Sequence, residues 1–152
     1  MEDCYAMVEE AGRRKSQLAV TIECVNSYLN YGDKRFYYPG YYEGLDGQQV
    51  ERFTKLARAY KMHIVAGLNL TIDGSTYNCA VLLNPEGDIA GIHKKVHLPA
   101  GEEFNITPGN RFEVFETEIG NIGMLVCWDM QYPESVRELS LGGADIIACP
   151  TW

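Results

Sequence analysis

Gly123-Met-Leu-Val-Cys127-Trp-Asp129-Met-Gln-Tyr-Pro133-Glu134 holds the end of a strand, a sharp turn and the start of a helix. Ile122 to Cys127 is an apolar run of strand length. Pro133 suits the first position of a helix running to Leu141, and Gly142-Gly143 supplies its stop. A strand that hands a cysteine to a turn ahead of a helix implies an α/β layout with a thiol at the top of a sheet. Partial positive charge near the helix N-terminus would favour the thiolate there. Taken alone, Cys127 can equally be read as a small core hydrophobe, the usual fate of an unpaired cysteine.

The elements around this stretch follow the same alternation. Ala144 to Cys149 is a further apolar strand, and Phe112 to Ile119 forms a hairpin with Ile122 to Cys127 about Gly120-Asn121. His63 to Leu70, Tyr77 to Leu83 and Ile89 to His97 read as strands, the last two joined by the turn Pro85-Glu86-Gly87-Asp88. Val50, Phe53, Leu56, Ala57 and Tyr60 recur at helical spacing, so Gln48 to Tyr60 is expected to be an amphipathic helix. Met1 to Lys15 reads as a helix, and Leu18 to Cys24 as a buried strand that delivers Glu23 to its C-terminal end. Asn26 to Gly47, rich in tyrosine and punctuated by Gly32, Pro39, Gly40 and Gly44, is expected to be a long loop packed over something. Helices at both ends with a meander between them predict an α/β sandwich within one domain of 152 residues.

Composition narrows the function. Acidic residues outnumber basic ones 21 to 13, for a net charge of -8, which repels phosphate backbones and anionic lipid. Neither nucleic acid nor membrane is therefore an expected partner, and no apolar run nears the ~20 residues of a bilayer helix. The N-terminus has neither the basic start nor the apolar middle of a signal peptide. The five cysteines (Cys4, Cys24, Cys79, Cys127, Cys149) are odd in number, widely spaced and without a CxxC pair, which fits a reducing cytoplasm better than a disulfide scaffold or zinc ribbon. His93 and His97 share a strand face but lack a third ligand, so no metal or cofactor is expected.

The segment around Cys127 resembles the nucleophile motif of the nitrilase (carbon–nitrogen hydrolase) superfamily, in which a cysteine separates a strand from D-x-x-[FY]-P-E. His93-Lys94-Lys95-Val96-His97-Leu98-Pro99 is similar to that family's [RH]-K-x-H-L lysine motif, and Leu18 to Glu23 supplies the early glutamate. The resemblance implies a partial α-β-β-α sandwich and a catalytic set of Glu23, Lys95 and Cys127. It also implies a second glutamate before Thr107-Pro108-Gly109, which is Glu102 or Glu103, with Glu103 preferred. In that scheme Cys127 attacks the carbonyl, Glu23 moves the proton, and Lys95 with the Trp128 amide holds the oxyanion. Alternation along a strand turns Lys94 away from Lys95, and the family register selects Lys95. Asp129 is expected to be structural, turning the elbow and capping the helix that starts near Pro133.

The expected reaction is thioester-mediated hydrolysis of a small-molecule amide or N-carbamoyl amine. A true nitrilase is the alternative reaction, although Asp129 stands where nitrilases usually carry glutamate, and a non-catalytic binding module is the alternative class. Met130 and Gln131 occupy positions where N-carbamoyl-D-amino-acid hydrolases carry arginines, so a neutral amide or carbamoylated amine is expected. The family fold continues past the strand at Cys149 and starts before Met1. Residues 1–152 thus read as an incomplete domain that lacks its first strand and C-terminal part, is inactive alone, and is a homo-oligomer when full length.

Overall fold

The computed structural model describes residues 2–31, 34–37 and 42–152, without the side chains of 28–31 and 34–37. In chain order the elements are α1 (Glu2–Arg13), β1 (Leu18–Val20), β2 (Tyr28–Tyr31), β3 (Lys34–Tyr37), α2 (Gln48–Tyr60), β4 (His63–Ile72), β5 (Ser75–Leu83) and β6 (Ile89–Lys94). They continue with β7 (Val114–Phe115), β8 (Ile122–Met124), α3 (Pro133–Leu141) and β9 (Ile146–Ala148). One sheet has the order β1-β4-β5-β6, with β1 parallel to β4 and the other pairs antiparallel. A second has the order β7-β8-β9, with β8 and β9 parallel. β2 and β3 form a separate antiparallel ribbon.

Strand alternation builds the layers. Ile64, Ala66, Leu68 and Leu70 of β4 turn toward Tyr5 and Val8 of α1 and Val50, Phe53 and Ala57 of α2. On the opposite face Val65 joins Ala80 and Leu82 of β5 against Ile122, Met124, Val126 and Ala148 of the second sheet. Between Ile122 and Met124, Gly123 points the other way: a Cβ there would meet the Leu139 side chain of α3 at 3.0 Å. The order is thus helices, sheet, sheet, helix, which is the expected α-β-β-α arrangement. β9 is an edge strand among the described residues, with Ile147 37% exposed.

Three elements differ from their sequence reading. The strand expected over Leu18 to Cys24 stops at Val20, and Glu23 sits in the turn beyond it. The stretch expected to be loop contains a 3-10 turn (Val25–Ser27) and the β2–β3 ribbon; the packing expected of Tyr38 and Tyr41 falls outside the described residues. The strand expected to reach His97 stops at Lys94, because the carboxylate of Asp129 takes the Val96 and His97 N–H groups at 3.1 and 2.8 Å.

Candidate active site

Glu23 is placed by a crossing of two backbones. Thr21 donates its N–H to Val65 O at 2.9 Å, and its Oγ1 accepts the Gly67 N–H at 2.9 Å. The chain then passes directly over Gly67, where a Cβ would lie 2.4 Å from Ile22 O and 2.8 Å from the Glu23 Cα. No side chain fits there. Cys24 follows with φ of 51°, a left-handed conformation that non-glycine residues seldom take outside constrained sites. Past it, Asn26 and Asn69 interlock: Asn26 Nδ2 donates to Asn69 O and Asn69 N–H donates to Asn26 Oδ1, each at 2.8 Å. Asn69 Nδ2 also reaches Ser27 Oγ at 2.6 Å. This buried lattice fixes the turn, and Glu23 is only 8% exposed.

Lys95 follows β6, its N–H held by Asn78 O at 2.8 Å. Lys94 and Lys95 diverge as alternation requires: Lys94 lies over the Tyr77 ring at 3.9 Å, while Lys95 is buried at 2% exposure. Lys95 Nζ donates to Glu23 Oε1 and to Glu102 Oε2, each at 2.8 Å. Burial pushes the ammonium pKa down, but the bonds to Glu102 and Glu23 outweigh it and hold Lys95 above its ordinary value. Asn78 Nδ2 touches the same two carboxylates, Glu23 Oε1 and Glu102 Oε1, again at 2.8 Å each. The 3-10 turn carrying Glu102 (Glu102–Phe104) is pinned on its far side by Thr107 N–H to Thr76 O and Gly109 N–H to Lys95 O, both 2.8 Å. The preference for Glu103 is corrected here. Its carboxylate folds back onto the Gly101 N–H at 2.6 Å, and Glu102 is the one that meets the lysine.

The elbow supplies the third group. Cys127 has φ of 41° and gives its N–H to Pro150 O at 3.0 Å. Fully buried Asp129 organises the turn: Oδ2 accepts from Val126 N–H at 3.1 Å and His93 Nε2 at 2.8 Å. Its Oδ1 accepts from the Val96 and His97 backbones and from His97 Nδ1 at 3.2 Å. Asp129 is therefore structural, as expected, but it does not cap α3, whose N-cap is Tyr132 without a side-chain bond. It ties the lysine segment to the cysteine elbow, with His93 and His97 both bonded to it. The thiol differs from its reading too. Burial raises the Cys127 pKa, and the charge of Glu23 and a hydrogen bond to it add to the rise, outweighing Lys95 and the Trp152 N–H. The net direction is upward, opposite to the lowering expected of a helix N-terminus.

Glu23, Lys95, Glu102 and Cys127 share the wall of a cavity of about 440 Å³, completed by Tyr42, Asn105, Ile106 and Trp152 among others. Trp128, the residue after Cys127, is 41% exposed and outside that wall. The sequence profile of the family described as carbon–nitrogen hydrolase matches residues 1–151. The chain belongs to the carbon–nitrogen hydrolase family. An omega-amidase of Xenopus tropicalis is 29% identical over 95% of this chain and 54% of its own length. A protein named nitrilase from Pyrococcus abyssi is 32% identical over 95% and 55%. The crystal structure of a carbon–nitrogen hydrolase from Helicobacter pylori G27 superposes with a TM-score of 0.81 at 32% identity, covering 99% of this chain and 53% of that one. The chain spans about half the length of the curated relatives it matches. Within this carbon–nitrogen hydrolase fold, Asn78 and the Asn26–Asn69 pair went unread in the sequence. The available signal was an amide side chain inside otherwise apolar strands.

Proposed function

We propose that this site hydrolyses the C–N bond of a neutral amide or a carbamoylated amine through a cysteine thioester. One observation carries the reading: Glu23, bonded to the buried Lys95 ammonium, shares the wall of one cavity with the thiol of Cys127. As Cys127 Sγ attacks the carbonyl carbon, its proton passes to Glu23, and the carbonyl oxygen becomes an oxyanion. Lys95 has three donors, two of them given to Glu23 and Glu102, so the third is left for that oxyanion, with the Trp128 N–H beside it. Collapse breaks the C–N bond, and Glu23 returns the proton to the departing amine or ammonia. Glu23 then takes a proton from water as the hydroxyl adds to the thioester, releasing the acid and restoring the thiol.

Among the described residues, the charged groups of the cavity wall are two carboxylates and one ammonium, a formal net of -1. That disfavours substrates bearing a carboxylate near the scissile bond and suits neutral or cationic ones. A second reading, addition to a C≡N carbon by the same groups, is favoured by the Pyrococcus relative's name. Ammonia release from amide, carbamoyl-amine and nitrile panels, by the full-length protein and its Cys127→Ala variant, decides the matter. Cys127-dependent release from amides or carbamoyl-amines is expected. Release from nitriles alone would select the second reading, and release that survives Cys127→Ala would end both.

A further inference from the structure

Asn78 lies on β5, 1% exposed, and is not part of the cavity wall. Its side chain faces the cluster described above. The end carrying two carboxylate contacts is its NH2 group, and an amide NH2 has two hydrogens to give. One serves Glu23 and the other Glu102, so a single nitrogen bridges the two carboxylates that Lys95 also bridges. Both anchors of Glu23 fall on the same oxygen, Oε1. The other end of the amide is unfavourable: Oδ1 is buried without a hydrogen-bond partner. A packing residue at this position would shed that cost, because a leucine fills similar volume with no polar atoms. The fold has no use for an amide here, whereas the two carboxylates do.

We propose that Asn78 is a positioning residue of the site: its NH2 group clamps Glu23 and Glu102 to a common point over Lys95 and keeps Glu23 aimed at the Cys127 thiol. The inference rests on the reading of Glu23 as the proton carrier, and it extends that reading to a residue that touches no substrate. Two carboxylates around one ammonium repel each other, and the amide's paired hydrogens lie between them as a neutral spacer of fixed geometry. Lys95 alone leaves both side chains free to pivot about Nζ. With Asn78 in place each carboxylate has two anchors and one orientation.

The test reads the thiol and needs no turnover, so a full-length protein that hydrolyses nothing would sink the proposed function and leave this inference measurable. Iodoacetamide alkylation of Cys127 is followed against pH by peptide mass spectrometry in wild type, Asn78→Ala, Glu23→Gln and the double variant. Without the amide Glu23 pivots away from the thiol and raises its pKa less, so Asn78→Ala moves the Cys127 midpoint to lower pH. The same substitution in the Glu23→Gln background produces less than half that shift, because its route to the thiol is gone. Asn78→Ser, whose hydroxyl has one hydrogen to give, falls between the two and carries the test if Asn78→Ala does not fold. A midpoint that stays or rises, or an equal shift in both backgrounds, overturns the proposal.

Discussion

At the scale of single residues the thiol and its carboxylate partner behave as one unit, and the sign of their coupling can be tested. Glu23 raises the Cys127 pKa through both its charge and its hydrogen bond, while Lys95 lowers it. Glu23→Gln removes the two raising contributions and keeps the lowering one. The thiol should therefore alkylate faster at neutral pH in this variant, even though hydrolysis falls by roughly 10²–10⁴-fold for want of a proton carrier. Alkylation slowed in step with hydrolysis would show that Glu23 activates the thiolate instead of receiving its proton. Asp129 gives a second case. Burial pushes its pKa up, but the bonds from His93, His97 and Val126 outweigh this and hold it below the ordinary carboxylate range. A depressed folded-state pKa means stability that is present above the unfolded value and lost as pH falls through the folded one. Asp129→Ala leaves the Val126, Val96 and His97 N–H groups without this acceptor and should cost at least about 3 kcal/mol in urea unfolding at neutral pH. Asp129→Asn should not rescue it, because an amide nitrogen would face donors. The acid-side slope of stability should flatten in both variants.

At the scale of elements, the close crossing at Gly67 decides where Glu23 stands. Gly67→Ala pushes a methyl carbon into the Ile22 carbonyl and the Glu23 backbone. β4 is central and laddered to β5 over Ile64–Ile72, so the displaced partner should be the turn. The expected result is a modest loss of stability and a loss of the elevated Cys127 midpoint, read by the same pH-dependent alkylation. An unchanged midpoint would mean that the Asn26–Asn69 lattice alone holds Glu23. This crossing also shows what the sequence made legible. α2 and α3 were read to within a residue because amphipathic spacing and the Pro133 and Gly142 signals are local properties. Alternation is local too and showed that Lys94 and Lys95 face opposite ways, while the family resemblance picked Lys95. Glu102 was not separable from Glu103, since the choice depends on a 3-10 turn anchored by Thr76, a residue more than twenty positions away. The end of β1 was missed for the same reason. Thr21, Ile22 and Glu23 continue an apolar strand pattern in sequence, and the strand is stopped by a side-chain bond to Gly67 that sequence alone does not show.

At the scale of the whole molecule the site belongs to neither sheet. In the first sheet Glu23 and Lys95 lie just past β1 and β6 and Asn78 lies within β5, while Cys127 lies just past β8 of the second. Their alignment therefore depends on how the two sheets pack through Val65, Ala80 and Leu82 against Ile122, Met124, Val126 and Ala148. The other faces of β4 and β5 carry the helix-side core, in which Phe53 is fully buried against Tyr5 with ring centroids 4.9 Å apart. Two cores that share two strands should not melt separately. Phe53→Ala should cost about 3–5 kcal/mol, a large part of the roughly 5–15 kcal/mol of an ordinary domain. Phe53 touches neither Cys127 nor the second sheet's cluster, so a loss confined to the helix layer would leave the elbow intact. Cooperative packing makes the opposite forecast. In urea, far-ultraviolet ellipticity, which follows helix content, and Cys127 alkylation at fixed pH, which follows the elbow, should shift to lower midpoints together. Two separated transitions, with the thiol still protected after the helices have melted, would show that the sandwich is two independent layers and that the site's geometry is set by the second sheet alone.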